Sequence, residues 1–119
     1  MTVTGIDHVQ VAAPRGCEEE ARAFYGELLG LEEIPKPEPL LARGGVWFRA
    51  GAQELHVGVE EPFAPARKAH PALLASDLDT LRTDLVAAGH DVQSDDLIPG
   101  VARFYVDDPF GNRLEIVQG

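Results

Sequence analysis

The chain repeats itself, and that repetition limits its fold more than any other feature. Two stretches, about 4–59 and 69–118, run through the same series of elements. Each opens on an alternating strand headed by a histidine, His8 in TGIDHVQVAA and His70 in HPALLA. Each continues with an amphipathic helix closed by glycine. Ala21, Phe24, Tyr25, Leu28 and Leu29 form the first apolar stripe before Gly30, and Leu78, Leu81, Leu85 and Ala88 form the second before Gly89. A short strand follows, then an aromatic strand (Trp47-Phe48, Phe104-Tyr105), a turn and a last strand (Leu55-His56-Val57, Leu114-Glu115-Ile116). The economical reading is an α+β fold: one domain of two βαβββ modules, whose mixed sheets curve around a cavity with the helices outside.

Locally, the pattern predicts a helix over 17–29 with Glu18, Glu19 and Glu20 in its first turn. Pro35, Pro37 and Pro39 predict a stiff, extended loop. Strands are expected near 31–34, 46–49, 53–59, 70–75, 91–92, 101–106 and 113–117, with 60–68 as the loop between halves. Ser76 is the expected cap of the second helix, with Asp79 in the capping-box position. Asp107-Asp108-Pro109-Phe110-Gly111-Asn112 reads as a tight turn, in which proline presets one angle and Gly-Asn tolerates a positive φ.

Alternation then decides what points away from the helices. His8, Gln10, Glu54, His56, His70 and Glu115 all fall on that face. A histidine in a strand is more often a hydrogen-bonded core or rim residue than a ligand. Here, histidines head both repeats, and His56 and Glu115 occupy matched places near their ends. Three imidazoles and a carboxylate suit a divalent ion such as Zn, Ni, Co, Mn or Fe(II), so His8, His56, His70 and Glu115 are the candidate ligands. Glu54 is either a base beside them or a solvated edge carboxylate. Trp47, Phe48, Phe104 and Tyr105, with Gln10, are the candidate pocket walls.

Net charge is −10 and the sequence pI is about 4.6. That balance disfavours a nucleic-acid backbone or an anionic membrane as partner. Cys17 is the single cysteine, so no intrachain disulfide is expected. No signal-peptide or transmembrane pattern is visible, and a cytoplasmic location is the expectation.

The sequence resembles the vicinal oxygen chelate superfamily of glyoxalases, bleomycin-resistance proteins, fosfomycin-modifying enzymes and extradiol dioxygenases. The residues that carry the likeness are Asp7-His8-Val9, Phe24-Tyr25 with Leu28-Leu29-Gly30-Leu31, Leu55-His56-Val57, His70-Pro71-Ala72-Leu73, and Phe104 through Glu115. The resemblance implies paired βαβββ modules, a homodimer, and a metal that holds two neighbouring substrate oxygens and stabilises an oxyanion. It makes His8 and His70 the ligands opening each module and Glu115 the closing ligand, with His56 standing where glyoxalase I has a glutamate. It thus implies a metal-dependent lyase, isomerase or dioxygenase acting on a small oxygen-rich substrate; Glu115 and Glu54 are the candidate catalytic carboxylates, and Glu54, two residues from His56 on the same face, is the alternative fourth ligand. The alternative is a non-catalytic drug- or metabolite-binding protein of the bleomycin-resistance type.

Overall fold

A computed structural model describes residues 2–119. The chain divides into two compact units, Met1–Ala64 and Pro65–Gly119. The class is α+β, and each unit holds one four-stranded mixed sheet and one principal helix.

In the first unit the strands are β1 (His8–Ala13), β2 (Glu32–Ile34), β3 (Val46–Ala50) and β4 (Gln53–Val59), in the order β1-β4-β3-β2. The first strand pairs parallel with the last, and the other pairings are antiparallel. Val11 and Ala13 of β1, Val46 and Phe48 of β3, and Leu55 and Val57 of β4 are buried on one face. Ala21, Phe24 and Tyr25 pack there, with the Tyr25 and Phe48 rings 5.8 Å apart. Each buried aromatic ring contributes about 2 kcal/mol of hydrophobic stabilisation.

The expected 17–29 helix departs from regularity. Its first turn is α-helical (Glu18–Ala21, called α1), but Arg22–Leu28 is a π-helix, in which Leu29 N–H reaches back five residues to the Phe24 carbonyl at 2.9 Å. The wider winding turns both Phe24 and Tyr25 onto the sheet and leaves Leu28 and Leu29 only half-buried at the end of the stripe. The proline segment also differs from expectation. Glu38–Arg43 is a 3₁₀ helix, because a proline in the first helical turn gives up an N–H that has no partner there.

The second unit repeats the order with β5 (Ala72–Ala75), α2 (Leu78–Ala87), β6 (Val92–Ser94), β7 (Arg103–Asp107) and β8 (Arg113–Gln118), arranged β5-β8-β7-β6. Leu78 and Leu85 of α2 are buried, as are Phe104, Val106, Leu114 and Ile116 of the sheet. The helix cap is Asp77, not Ser76. Its carboxylate accepts from the Thr80 N–H at 3.1 Å on one oxygen and from the Thr80 hydroxyl at 2.8 Å on the other.

The β7–β8 turn is organised by Asp108. Its buried carboxylate accepts from the backbone N–H of Phe110 and of Asn112 and from the Asn112 side chain, each at 2.9 Å. Gly111 supplies the positive φ, and Asn112 stays in ordinary backbone space.

Candidate functional site

In the first unit, three rings stack on the sheet face opposite the helix. Trp47 and His56 are cross-strand partners, and their rings lie 3.7 Å apart and 3° from parallel. The His8 ring covers the other side of His56, at 4.2 Å and 19°. This sandwich explains why a polar side chain on the face away from the helix is nevertheless buried, with 4% of the His56 side chain exposed. His56 Nε2 meets a Glu54 carboxylate oxygen at 2.9 Å, and His8 Nδ1 meets Asp7 at 2.9 Å. A carboxylate only accepts, so each contact is a hydrogen bond when that ring nitrogen carries the proton. Gln10, the β1 partner of His56, lays its amide over Gly58, where an added Cβ would come within 2.7 Å of it.

In the second unit, His70 stands two residues ahead of β5 and contacts the middle of β8. Its Nε2 lies 3.1 Å from a Glu115 carboxylate oxygen, and its Nδ1 lies 3.0 Å from the Lys68 carbonyl. Both neighbours are acceptors, so both contacts are hydrogen bonds only when the ring carries both protons. The other Glu115 oxygen accepts from Arg103 at 3.1 Å. Arg103 also donates to the Tyr105 hydroxyl at 3.0 Å and pairs with Asp95 at 3.0 Å. The sequence reading missed Arg103. The available signal was its place two residues before Tyr105, on the face that bears Glu115. Arg113 lies over the Tyr105 ring at 3.9 Å.

The two units carry one design. The register pairs Gln10 with His56 and Ala72 with Glu115, so each opening histidine sits two residues ahead of the partner of the closing ligand-type residue. The neighbouring strand places an aromatic directly opposite that residue, Trp47 in one unit and Tyr105 in the other. Phe48 and Phe104 turn the other way and are fully buried, so they are core residues and not pocket walls. Alternation allows only one member of each adjacent aromatic pair on the face away from the helix.

No protein-family model matches the chain, and no curated protein matches it. Among solved structures, it is 57% identical to a glyoxalase family protein from Bacillus anthracis, with a TM-score of 0.94 over 100% of this chain and 98% of that one. The chain belongs to the glyoxalase family. It therefore lies in the vicinal oxygen chelate superfamily. Its fold is shared by lactoylglutathione lyase from Agrobacterium tumefaciens (24% identity, TM-score 0.75, 100% of this chain and 96% of that one). FosX, the fosfomycin resistance protein from Listeria monocytogenes, shares it too (15% identity, TM-score 0.78, 99% and 95%).

Whether this glyoxalase-family chain suits a divalent metal can be judged from its donors. The chemistry of the donors fits: one matched pair offers two imidazoles, His8 and His56, and the other an imidazole and a carboxylate, His70 and Glu115. Among the described residues, however, no group of three or more histidine, cysteine, aspartate or glutamate side chains is arranged to hold an ion. The His8 and His56 rings are stacked near-parallel, so the two would hold one ion together only after one of them turned. His8, with 43% of its side chain exposed, has room to turn. Cys17 is no substitute ligand, since burial and the neighbouring Glu18 push its thiol pKa up. No helix among the described residues is long and apolar enough to cross a membrane.

Burial pushes the Glu115 carboxyl pKa up, but hydrogen bonds from His70 and Arg103 outweigh it and hold the group below its ordinary value. A depressed carboxylate stabilises the fold fully above its unfolded pKa and loses that contribution as pH falls through the lower folded value. We expect Glu115→Gln to be less stable than wild type at neutral pH, with the gap narrowing below the ordinary value of 4.5. Denaturant titrations across that acid range check this. A gap that stays constant with pH would contradict it.

Proposed function

We propose that the chain is a small enzyme acting on an oxygen-rich small molecule, with a divalent metal as its cofactor and a lyase, isomerase or dioxygenase reaction. The observation that supports this reading is the matched register, in which His8 meets His56 and His70 meets Glu115 from equivalent strands. These four residues would hold Zn, Ni, Co, Mn or Fe(II), and we assign one pair to each of two copies in a homodimer. When bound, the ion would grip neighbouring substrate oxygens and lower the cost of negative charge on them. The chain's own groups do the rest. Glu54 accepts a proton from substrate while His56 holds its carboxylate in place. The Gln10 amide hydrogen-bonds a substrate oxygen, and Trp47 and Tyr105 wall the site. Arg103 holds one oxygen of Glu115 and leaves the other facing His70.

Metal titration of protein purified without a histidine tag tests the reading. Wild type should take up metal stoichiometrically. His70→Ala should bind at least about 100-fold more weakly, since losing a ligand costs more than losing a residue that orients one. Substoichiometric metal that is the same in the variant would defeat the proposal.

The exposed outer face of the Trp47–His56–His8 stack favours a second reading, a protein that sequesters a planar or cationic small molecule. It predicts ligand binding that survives EDTA.

A further inference from the structure

The second unit contains a cavity of about 580 Å³ at the end of its sheet, between the residues that follow α2 and the β7–β8 turn. Its lining includes Arg113, Tyr105, Asp91, Asp107, Gln93 and His90. Of this lining, the metal reading uses only Tyr105. The volume falls in the range that holds a small metabolite.

The arrangement of charge inside it is specific. Asp107 and Arg113 are direct cross-strand partners, the position at which opposite charges ordinarily pair. Among the described residues they form no salt bridge. Instead, the Arg113 guanidinium lies over the Tyr105 ring at 3.9 Å. That ring is itself fixed, because its hydroxyl accepts a hydrogen bond from Arg103. Stacking uses the flat face of a guanidinium and leaves the N–H edge for a ligand. The Asp91 and Asp107 side chains are exposed and make no salt bridge among the described residues. One cavity is thus lined by a donor fork and two carboxylates, with Arg113 laid on Tyr105 and in no salt bridge with either acid among the described residues.

We propose that this cavity binds a small zwitterion, an amino acid or amino-acid-like molecule whose carboxylate meets Arg113 and whose ammonium group lies between Asp91 and Asp107. A ligand with a single charge would leave either Arg113 or the two carboxylates unmatched and pay to desolvate them. Gln93, the cross-strand partner of Tyr105, can donate or accept along the ligand's middle. The proposal shares Tyr105 with the metal reading but does not depend on a bound metal, and holds for enzyme or binding protein alike.

Amide chemical-shift titration of the full chain tests it, with glycine, β-alanine and γ-aminobutyrate as probes of increasing charge separation and butyrate and n-butylammonium as controls. At least one zwitterion should shift the Gln93, Tyr105 and Arg113 amides to saturation at millimolar concentration. Each control should bind about tenfold more weakly or worse, as the loss of one charge-assisted hydrogen bond requires. Arg113→Met and Asp107→Asn should each weaken the best zwitterion by about the same factor. Asp91→Asn, a change at an exposed loop residue, provides a second acidic variant if the turn tolerates Asp107→Asn poorly. The proposal is overturned if no zwitterion perturbs these amides. Butyrate binding as tightly as γ-aminobutyrate would also overturn it, as would full binding by both aspartate variants.

Discussion

Asp108→Ala should be the most damaging polar substitution in the chain, lowering stability by about 4 kcal/mol. The carboxylate is only 4% exposed and receives two backbone N–H groups and the Asn112 amide, each at 2.9 Å. Alanine strands these donors in the turn that joins β7 to β8. Each orphaned buried donor costs about 1–3 kcal/mol. Against a total stability of about 5–15 kcal/mol, the loss would drop the thermal midpoint on the order of 15 °C. Asp108→Asn keeps an oxygen for the two backbone groups but sets an amide NH₂ against the Asn112 NH₂. It should cost about half as much. Denaturant unfolding of the three proteins checks the order, and equal losses for the two variants would refute it.

Gly45→Ala should come close to it, at about 4 kcal/mol, for a different reason. Gly45 sits at φ +92°, and an added Cβ would lie 2.2 Å from the Val57 carbonyl oxygen. That oxygen is backbone in the neighbouring strand, so relief requires β3 and β4 to part at the Val46–Val57 register. The Gly45 N–H would move with it, away from the Glu18 carboxylate it now meets at 2.7 Å. Gly51→Ala is the control. At φ +63° with nothing within 4 Å of the added carbon, it carries the conformational cost alone, about 1 kcal/mol. Denaturant midpoints of the two variants check the difference. If Gly45→Ala proved as mild as Gly51→Ala, the close approach would be of no consequence.

Much of the candidate site was legible because a strand's alternation is rigid. Knowing that Leu55 and Val57 are buried puts His56 on the other face, and the same holds for Glu115 between Leu114 and Ile116. The pairing of Trp47 with His56 and of Tyr105 with Glu115 was not legible, because cross-strand register depends on turn length and on bulges and not on either strand's pattern. Alternation put Arg103 on the face of Tyr105, but its partners were hidden for the same reason. Nothing local to an arginine at a strand's first residue says that Glu115, Tyr105 and Asp95 converge on it. In the helices, the periodicity placed the buried stripe but missed the π-winding of Arg22–Leu28, since apolar spacing tolerates either winding over so short a run. The cap of α2 moved by one residue because Ser76 and Asp77 both have capping side chains and only the backbone angles choose between them.

By itself, then, the amino-acid order determined the two-fold repetition, the faces of the strands and the identity of the ligand-type side chains. All of these follow from periods of two and about 3.6 residues that any strand or helix must obey. Tertiary structure alone decided who meets whom. It set the three-ring stack that buries His56, the two acceptors that keep His70 between them, and the guanidinium of Arg113 laid over Tyr105 instead of against Asp107. Such contacts depend on distances across strands and loops, and no property of a single segment encodes those distances.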